Sequence, residues 1–111
     1  MTKFVQEIFT NTAITDELFS EVIDVGNSTS LLLQAVYTGS SLTGSFLAYQ
    51  FSPDGVNFGE LGTAGTLAIN GTGVLVVSEL TGTAMSAPYV RIRVNVGSGS
   101  GTFSKVYLTG K

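Results

Sequence analysis

Residues 89–96, YVRIRVNV, alternate between apolar and polar side chains without interruption. A period of two puts Val90, Ile92, Val94 and Val96 on one side of an extended chain, and Tyr89, Arg91, Arg93 and Asn95 on the other. A helix would scatter the four β-branched residues around its circumference and crowd them against the preceding turn. The segment therefore predicts a strand with one buried face and one face in water or in an interface. A lone strand has nowhere to bury its apolar side, so the rest of the chain must supply both sheet neighbours and a second layer.

It has the material to do so. Strong strand patterns are predicted at 31–37, 45–51, 74–80 and 102–109, and weaker ones at 3–9, 19–25, 56–61 and 66–69. The run LLLQAVY at 31–37 is apolar on both faces, which suits a central strand covered on both sides. Between the runs stand turn residues. Gly39-Ser40-Ser41 is predicted to separate two strands. Pro53-Asp54-Gly55 makes a tight reversal, with Pro fixing φ and Gly accepting a positive φ. Asn70-Gly71 is a hairpin signal. The Gly-Ser-Gly-Ser-Gly run at 97–101 reads as a flexible loop joining the last two strands.

Residues 16–23, DELFSEVI, admit two readings. Asp16 as a cap with Leu18, Phe19, Val22 and Ile23 at helical spacing argues for a helix; alternation through Phe19, Glu21, Ile23 and Val25 argues for a strand, which we favour. There is no internal repeat and no domain boundary, and 111 residues make one domain. The expected fold is all-β: a single antiparallel β-sandwich, jelly-roll-like or immunoglobulin-like, of roughly eight strands with little or no helix. Residues 1–20 would form an N-terminal arm or an edge strand.

The chain has no His and no Cys. A Ser-His-Asp triad, thiolate chemistry and ordinary zinc sites are therefore out of reach. Asp54, Glu60 and Glu79 are the candidates for a carboxylate pair of the glycosidase kind. Asp54 is better explained by its turn, and Glu60 and Glu79 by solvent-facing strand positions. Asp54 and Asn57 offer hard oxygens for calcium, but one acidic side chain is too few for a convincing site. The expectation is a non-enzyme without cofactor or metal. Asn27-Ser28-Thr29 and Asn70-Gly71-Thr72 fit the N-glycosylation pattern; the N-terminal MTKFVQEIF lacks the long apolar core of a secretory signal, so we expect cytoplasmic synthesis and read them only as polar loops. No stretch approaches the ~20 apolar residues of a membrane span.

Charged residues make up only 12% of the chain against 43% hydrophobic, with a net charge of −3. Without a basic stripe, nucleic acid is not an expected direct partner. A surface so poor in charge hints that part of it is covered by assembly. Acidic residues gather early (Glu7, Asp16, Glu17, Glu21, Asp24) and basic ones late (Arg91, Arg93, Lys105, Lys111), an arrangement that would let neighbouring copies attract one another. Phe46, Tyr49, Phe51 and Phe58 cluster around one hairpin, while Tyr89, Phe103 and Tyr107 come late. Core packing is the default for such rings, with a sugar-stacking row as the alternative.

One block is more specific than composition. Residues 31–61 contain Tyr37-Thr38-Gly39, Gly44-Ser45-Phe46, Gln50 and Ser52-Pro53-Asp54-Gly55-Val56-Asn57-Phe58. This succession resembles a pattern in small virion proteins of tailed and marine bacteriophages, where a Tyr-Thr-Gly-like strand end leads to Gly-x-Phe, a strand, and Ser-x-Asp-Gly-x-x-Trp/Phe. The ending APYVRIRVNVGSGSGTFSKVYLTGK is similar to that family's ending: a Tyr-Val-Arg strand, a Ser/Gly-rich turn, a last strand and a terminal Lys. In this reading Ser52, Asp54, Gly55 and Phe58 are turn and fold signatures, with Phe58 returning the chain to the core where relatives often carry Trp.

The resemblance implies a non-enzymatic virion component, such as a capsid decoration or a minor capsid or tail protein. It would associate with itself, with trimers suited to the local three-fold axes of a capsid lattice, and dock on other virion proteins such as the major capsid protein. Tyr89, Arg91, Arg93 and Tyr107 are the candidate interface residues. Ser-x-Asp-Gly hairpins also occur in discoidin-like and carbohydrate-binding sandwiches, so the competing expectation is a carbohydrate- or receptor-binding module on a phage particle or a cell surface.

Overall fold

The computed structural model describes residues 4–26, 28–60, 66–69, 75–81 and 88–111, with 40, 41 and 75–81 as backbone only. Ten strands run through the described residues: β1 (Phe4–Ile14), β2 (Leu18–Phe19), β3 (Ile23–Asp24), β4 (Ser30–Thr43), β5 (Phe46–Ser52), β6 (Gly59–Glu60), β7 (Thr66–Ala68), β8 (Leu75–Thr81), β9 (Tyr89–Asn95) and β10 (Ser98–Gly110). No helix occurs among them. Every pairing is antiparallel, in two sheets. The first has the order β1-β10-β4-β8; the second has the order β2-β9-β5-β6, with β3 also on β9 and β7 also on β5. The chain is the all-β sandwich expected from its alternating pattern.

The two sheets close on one core. The central strands of the second sheet contribute Leu47, Tyr49 and Phe51 from β5 and Val90, Ile92 and Val94 from β9. From the first sheet come Leu31, Leu33, Ala35 and Tyr37 of β4 with Phe103, Val106 and Leu108 of β10. The Phe103 ring stacks on Phe9 with centroids 5.7 Å apart and meets Tyr37 edge-on at 6.4 Å. For Tyr49, Phe51 and Phe103, core packing is the observed role.

Residues 16–23 take the strand alternative in reduced form. Only β2 and β3 are extended, each a two-residue pairing along β9, with Ser20 between them. Ser20 is built into that edge: its N–H donates to the Ile92 carbonyl at 2.8 Å, and its Oγ accepts from the Ile92 N–H at 2.8 Å. Of the expected strand at 56–61, the described part is reduced to Gly59–Glu60, because 53–57 are taken up by the turn; Leu61 lies outside the described residues. Asn27 and Asn70-Gly71 lie outside the described residues.

Two expected turns are corrected. Gly39-Ser40-Ser41 does not separate strands; it lies inside the continuous β4, and the reversal comes later at Gly44, where φ is +67°. Most of the 97–101 run is not a loop either, since β10 already begins at Ser98 and only Gly97 stays in the connection. The physical reason is a crossing. β4 leads into β5 and β9 leads into β10, so two of the chain's passages between the layers run side by side here. The passages are tied together by Gly97 N–H donating to Ser45 Oγ at 3.1 Å and Asn95 Nδ2 donating to the Gly44 carbonyl at 3.3 Å. Backbones approach so closely here that a Cβ on Gly97 would lie 2.2 Å from the Thr43 carbonyl oxygen, and one on Gly101 would lie 2.3 Å from that of Thr38. These glycines serve close approach rather than flexibility.

The outer face of the first sheet is laid out in transverse rows by the register. Val5, Thr109 and Leu32 form one row, Glu7, Tyr107 and Gln34 the next, and Thr10, Lys105 and Val36 a third. Bulges at Ile8 in β1 and Ser104 in β10 keep the rows aligned while each strand bends.

Candidate functional site

The outer face of the second sheet collects most of the residues that sequence reasoning singled out. On β9, Tyr89, Arg91 and Arg93 point away from the core, between the buried Val90, Ile92 and Val94. Opposite them on β5 stand Ser52, Gln50 and Ala48, in the pairs Ser52–Tyr89, Gln50–Arg91 and Ala48–Arg93. These three β5 residues are buried although they face outward, because long side chains from neighbouring strands lie over them.

Arg91 lies at the centre. Its Cζ is 4.3 Å from the ring centroids of both Phe19 and Phe58, one ring from each flank of the β9–β5 pair. Its Nε donates to Gln50 Oε1 at 2.7 Å. The two terminal nitrogens have no hydrogen-bond or ion-pair partner among the described residues. Arg93, two residues on, is neutralised in full: its Nη2 and Nε donate to Glu60 at 3.0 and 3.2 Å, its Nη1 donates to Glu17 at 3.1 Å, and its Cζ lies 5.3 Å from the Phe46 ring. Hydrogen bonding from Arg93, aided by its charge, holds the Glu60 carboxyl below the usual carboxylate range against the opposing effect of burial.

The Ser52–Phe58 turn borders this surface. Ser52 Oγ, fully buried, accepts from the Gly55 N–H at 2.9 Å and donates to Asp54 Oδ1 at 2.8 Å. Asp54 Oδ1 also accepts from the N–H groups of Val56 and Asn57 at 2.8 and 2.9 Å, and Oδ2 accepts from Asn57 Nδ2 at 2.9 Å. The backbone donors of Asn57 and Val56, then the Ser52 hydroxyl, hold Asp54 far below the ordinary carboxylate range. Gly55 has φ +77°, and the Tyr89 ring lies against it. The carboxylate oxygens of Asp54 thus face an arc of donors that takes the place a cation would fill, so the turn itself accounts for this Asp and Asn57.

Phe58 corrects an expectation. It does not return to the core; it is half-buried on the outside, with Arg91 over its ring. The candidate interface also divides. Tyr107 alternates with buried Val106 and Leu108 on β10 and so belongs to the outer face of the first sheet, across the sandwich from Tyr89, Arg91 and Arg93. The separation of acidic and basic residues along the chain is met in part within it: Glu17 reaches Arg93, and Glu7 lies 3.9 Å from Lys105.

Sequence reasoning did not assign Phe19, Phe46 or Glu17 to this surface. The usable signal was that outward positions of β9 need outward neighbours, but which strands flank β9 is a matter of long-range pairing. The Glu79 side chain lies outside the described residues, so the expected carboxylate candidates reduce to Asp54 and Glu60, each already engaged. A shallow cleft at the sandwich edge, lined by Phe4, Gln6, Glu21, Val22, Ile23 and Asp24, holds two more carboxylates. Glu21 accepts from Gln6 Nε2 at 2.7 Å, and Asp24 accepts from the Gly26 N–H at 2.9 Å. Among the described residues no three acidic groups gather into a metal-binding cluster.

No protein-family model matches the chain, and no curated protein matches it in sequence.

Proposed function

We propose that the chain is a non-enzymatic virion structural protein, a capsid decoration or a minor capsid or tail component, that works by binding copies of itself and other virion proteins such as the major capsid protein. One observation carries this reading: Arg91 is held stiffly on a broad sheet face, between two aromatic rings and a glutamine, and its terminal nitrogens have no partner among the described residues. Arginine and aromatic side chains are enriched at protein interfaces and supply much of their binding energy. Ordering Arg91 within the free protein removes much of the entropy that docking would otherwise cost. The carboxylates beside it are tied to Arg93 and to the turn, which fits contact better than acid–base chemistry. The succession of turn and strand motifs across residues 31–61, similar to small phage virion proteins, supplies the biological setting.

The half-exposed Phe19 and Phe58 rings give the carbohydrate-binding alternative its foothold. Arg91 already lies over both, which leaves less open ring surface for a sugar. The test is co-sedimentation of the purified protein with particles of the phage that encodes it, beside a glycan-binding screen. Wild type should pellet with particles, and Arg91→Glu should weaken that at least tenfold. Glycan binding without particle binding would replace this reading with the sugar-binding one.

A further inference from the structure

The outer face of the first sheet is a second surface, on the other side of the sandwich, and it poses a different problem. β4 carries apolar residues on both faces, yet the described residues bury only one of them. Leu31, Leu33 and Ala35 are buried in the core, while Leu32 and Val36 look outward and remain partly exposed. Tyr107 lies beside them, and Val5 on the edge strand is 61% exposed. The charges described on this face are Glu7 and Lys105, one acid and one base on adjacent strands. At 3.9 Å and with 40% and 53% of their side chains exposed, they are only loosely paired.

We infer that this face packs against the same face of a second copy, forming a two-fold symmetric dimer. A two-fold contact presents each surface to itself, so an acid and a base on the face must cross-match between copies. Glu7 and Lys105 meet that condition on this face. Consider a two-fold axis lying in the contact plane, across the strands, between the Tyr107 and Lys105 rows. It sets each strand over its own copy, brings Val36 and Tyr107 to the middle, and turns Glu7 of one copy towards Lys105 of the other.

The size is adequate. Four strands spaced about 4.8 Å apart, over a shared length of roughly 24–35 Å, give on the order of 900–1,300 Å² for the two partners together, close to the ~1,000 Å² expected of a specific contact. A contact of that size is weak alone and effective when a lattice repeats it. The inference deepens the self-association part of the proposed function by naming the face and the symmetry, which is two-fold rather than the three-fold of a trimer.

Sedimentation equilibrium tests it on the whole chain. Wild type should be a dimer at micromolar concentration, and Leu32→Gln/Val36→Gln should be monomeric with an unchanged circular dichroism spectrum. Glu7→Lys and Lys105→Glu should each weaken the dimer about tenfold or more. Mixing those two variants should restore it. The mixed dimer sets the introduced lysine of one copy against the introduced glutamate of the other, and native Glu7 against native Lys105 at the symmetric position. A monomeric wild type, a trimer, or a dimer indifferent to both the polar double variant and the charge exchange would overturn the inference. Co-sedimentation with particles is read separately: a monomer that still pellets removes the two-fold contact alone, and a dimer that does not pellet keeps the contact and removes the particle reading.

Discussion

Replacing Gly101 by alanine separates two accounts of the glycine-rich segment by the sign of the effect. In a flexible loop, Gly→Ala stiffens the unfolded chain and stabilises by about 0.4–1 kcal/mol. In the structure, the added Cβ would lie 2.3 Å from the Thr38 carbonyl oxygen, 3.0 Å from Gly39 Cα and 3.3 Å from Ile14 Cδ1. Ordinary contact begins at 3.4 Å, so β4 and β10 must part by 3.4 − 2.3 = 1.1 Å at this point. The obstacle is paired backbone, in the register Gly101–Gly39 and Thr102–Thr38, and cannot swing aside as a side chain would. Overpacking of this kind costs about 1–3 kcal/mol, and a backbone obstacle places the expected value near the upper end. For a chain of this size that lowers Tm by roughly 5–15 °C. Urea and thermal denaturation followed by circular dichroism measure it, with the exposed Ser100→Ala as a control expected within about 0.5 kcal/mol of wild type. An unchanged or raised Tm for Gly101→Ala would refute the strand crossing and restore the loop.

Other outcomes follow from the second sheet and its turn. Gly55→Val should destabilise by about 1–2 kcal/mol or more, because φ is +77° there and a β-branched residue is strained in that region; equal melting temperatures would remove the turn assignment. Asp54 is held low by its donors, so its contribution is complete above the ordinary carboxylate pKa near 3.8 and declines as pH falls from there towards the depressed folded-state value. Urea midpoints from pH 5 to pH 2 should therefore fall more steeply for wild type than for Asp54→Asn, and parallel curves would contradict the hydrogen-bond arc. Arg91→Lys keeps the charge but loses the planar stack on Phe19 and Phe58; a loss of about 0.5–1 kcal/mol is expected by urea denaturation, and Phe58→Leu made in addition should cost less in the Lys background than in wild type.

What the sequence made legible was local and periodic. Alternation at 89–96 identified β9 and assigned each of its side chains to the correct face, and the run at 31–37 marked a central strand. The misreadings share one cause: composition reports what a residue permits, not what surrounds it. Gly39 and Gly101 permit a turn, but here they let two backbones pass, a fact that depends on pairing between segments some 60 residues apart. Phe58 permits core burial, but its ring is taken by Arg91 from β9. Arg93 meets Glu17 across 76 positions, so charges separated along the chain are joined in space. The two-faced apolar pattern of LLLQAVY was legible from the start; that Leu32 and Val36 stay partly exposed on the outer side became visible only with the sheet order.

Quantitative mass spectrometry of gradient-purified particles tests the central claim most directly. If the chain is a structural component that works through repeated contacts, it should be present in many copies per particle, in a fixed ratio to the major capsid protein, and should persist through a salt wash. Its abundance in the lysate of infected cells together with its absence from purified particles would contradict the account.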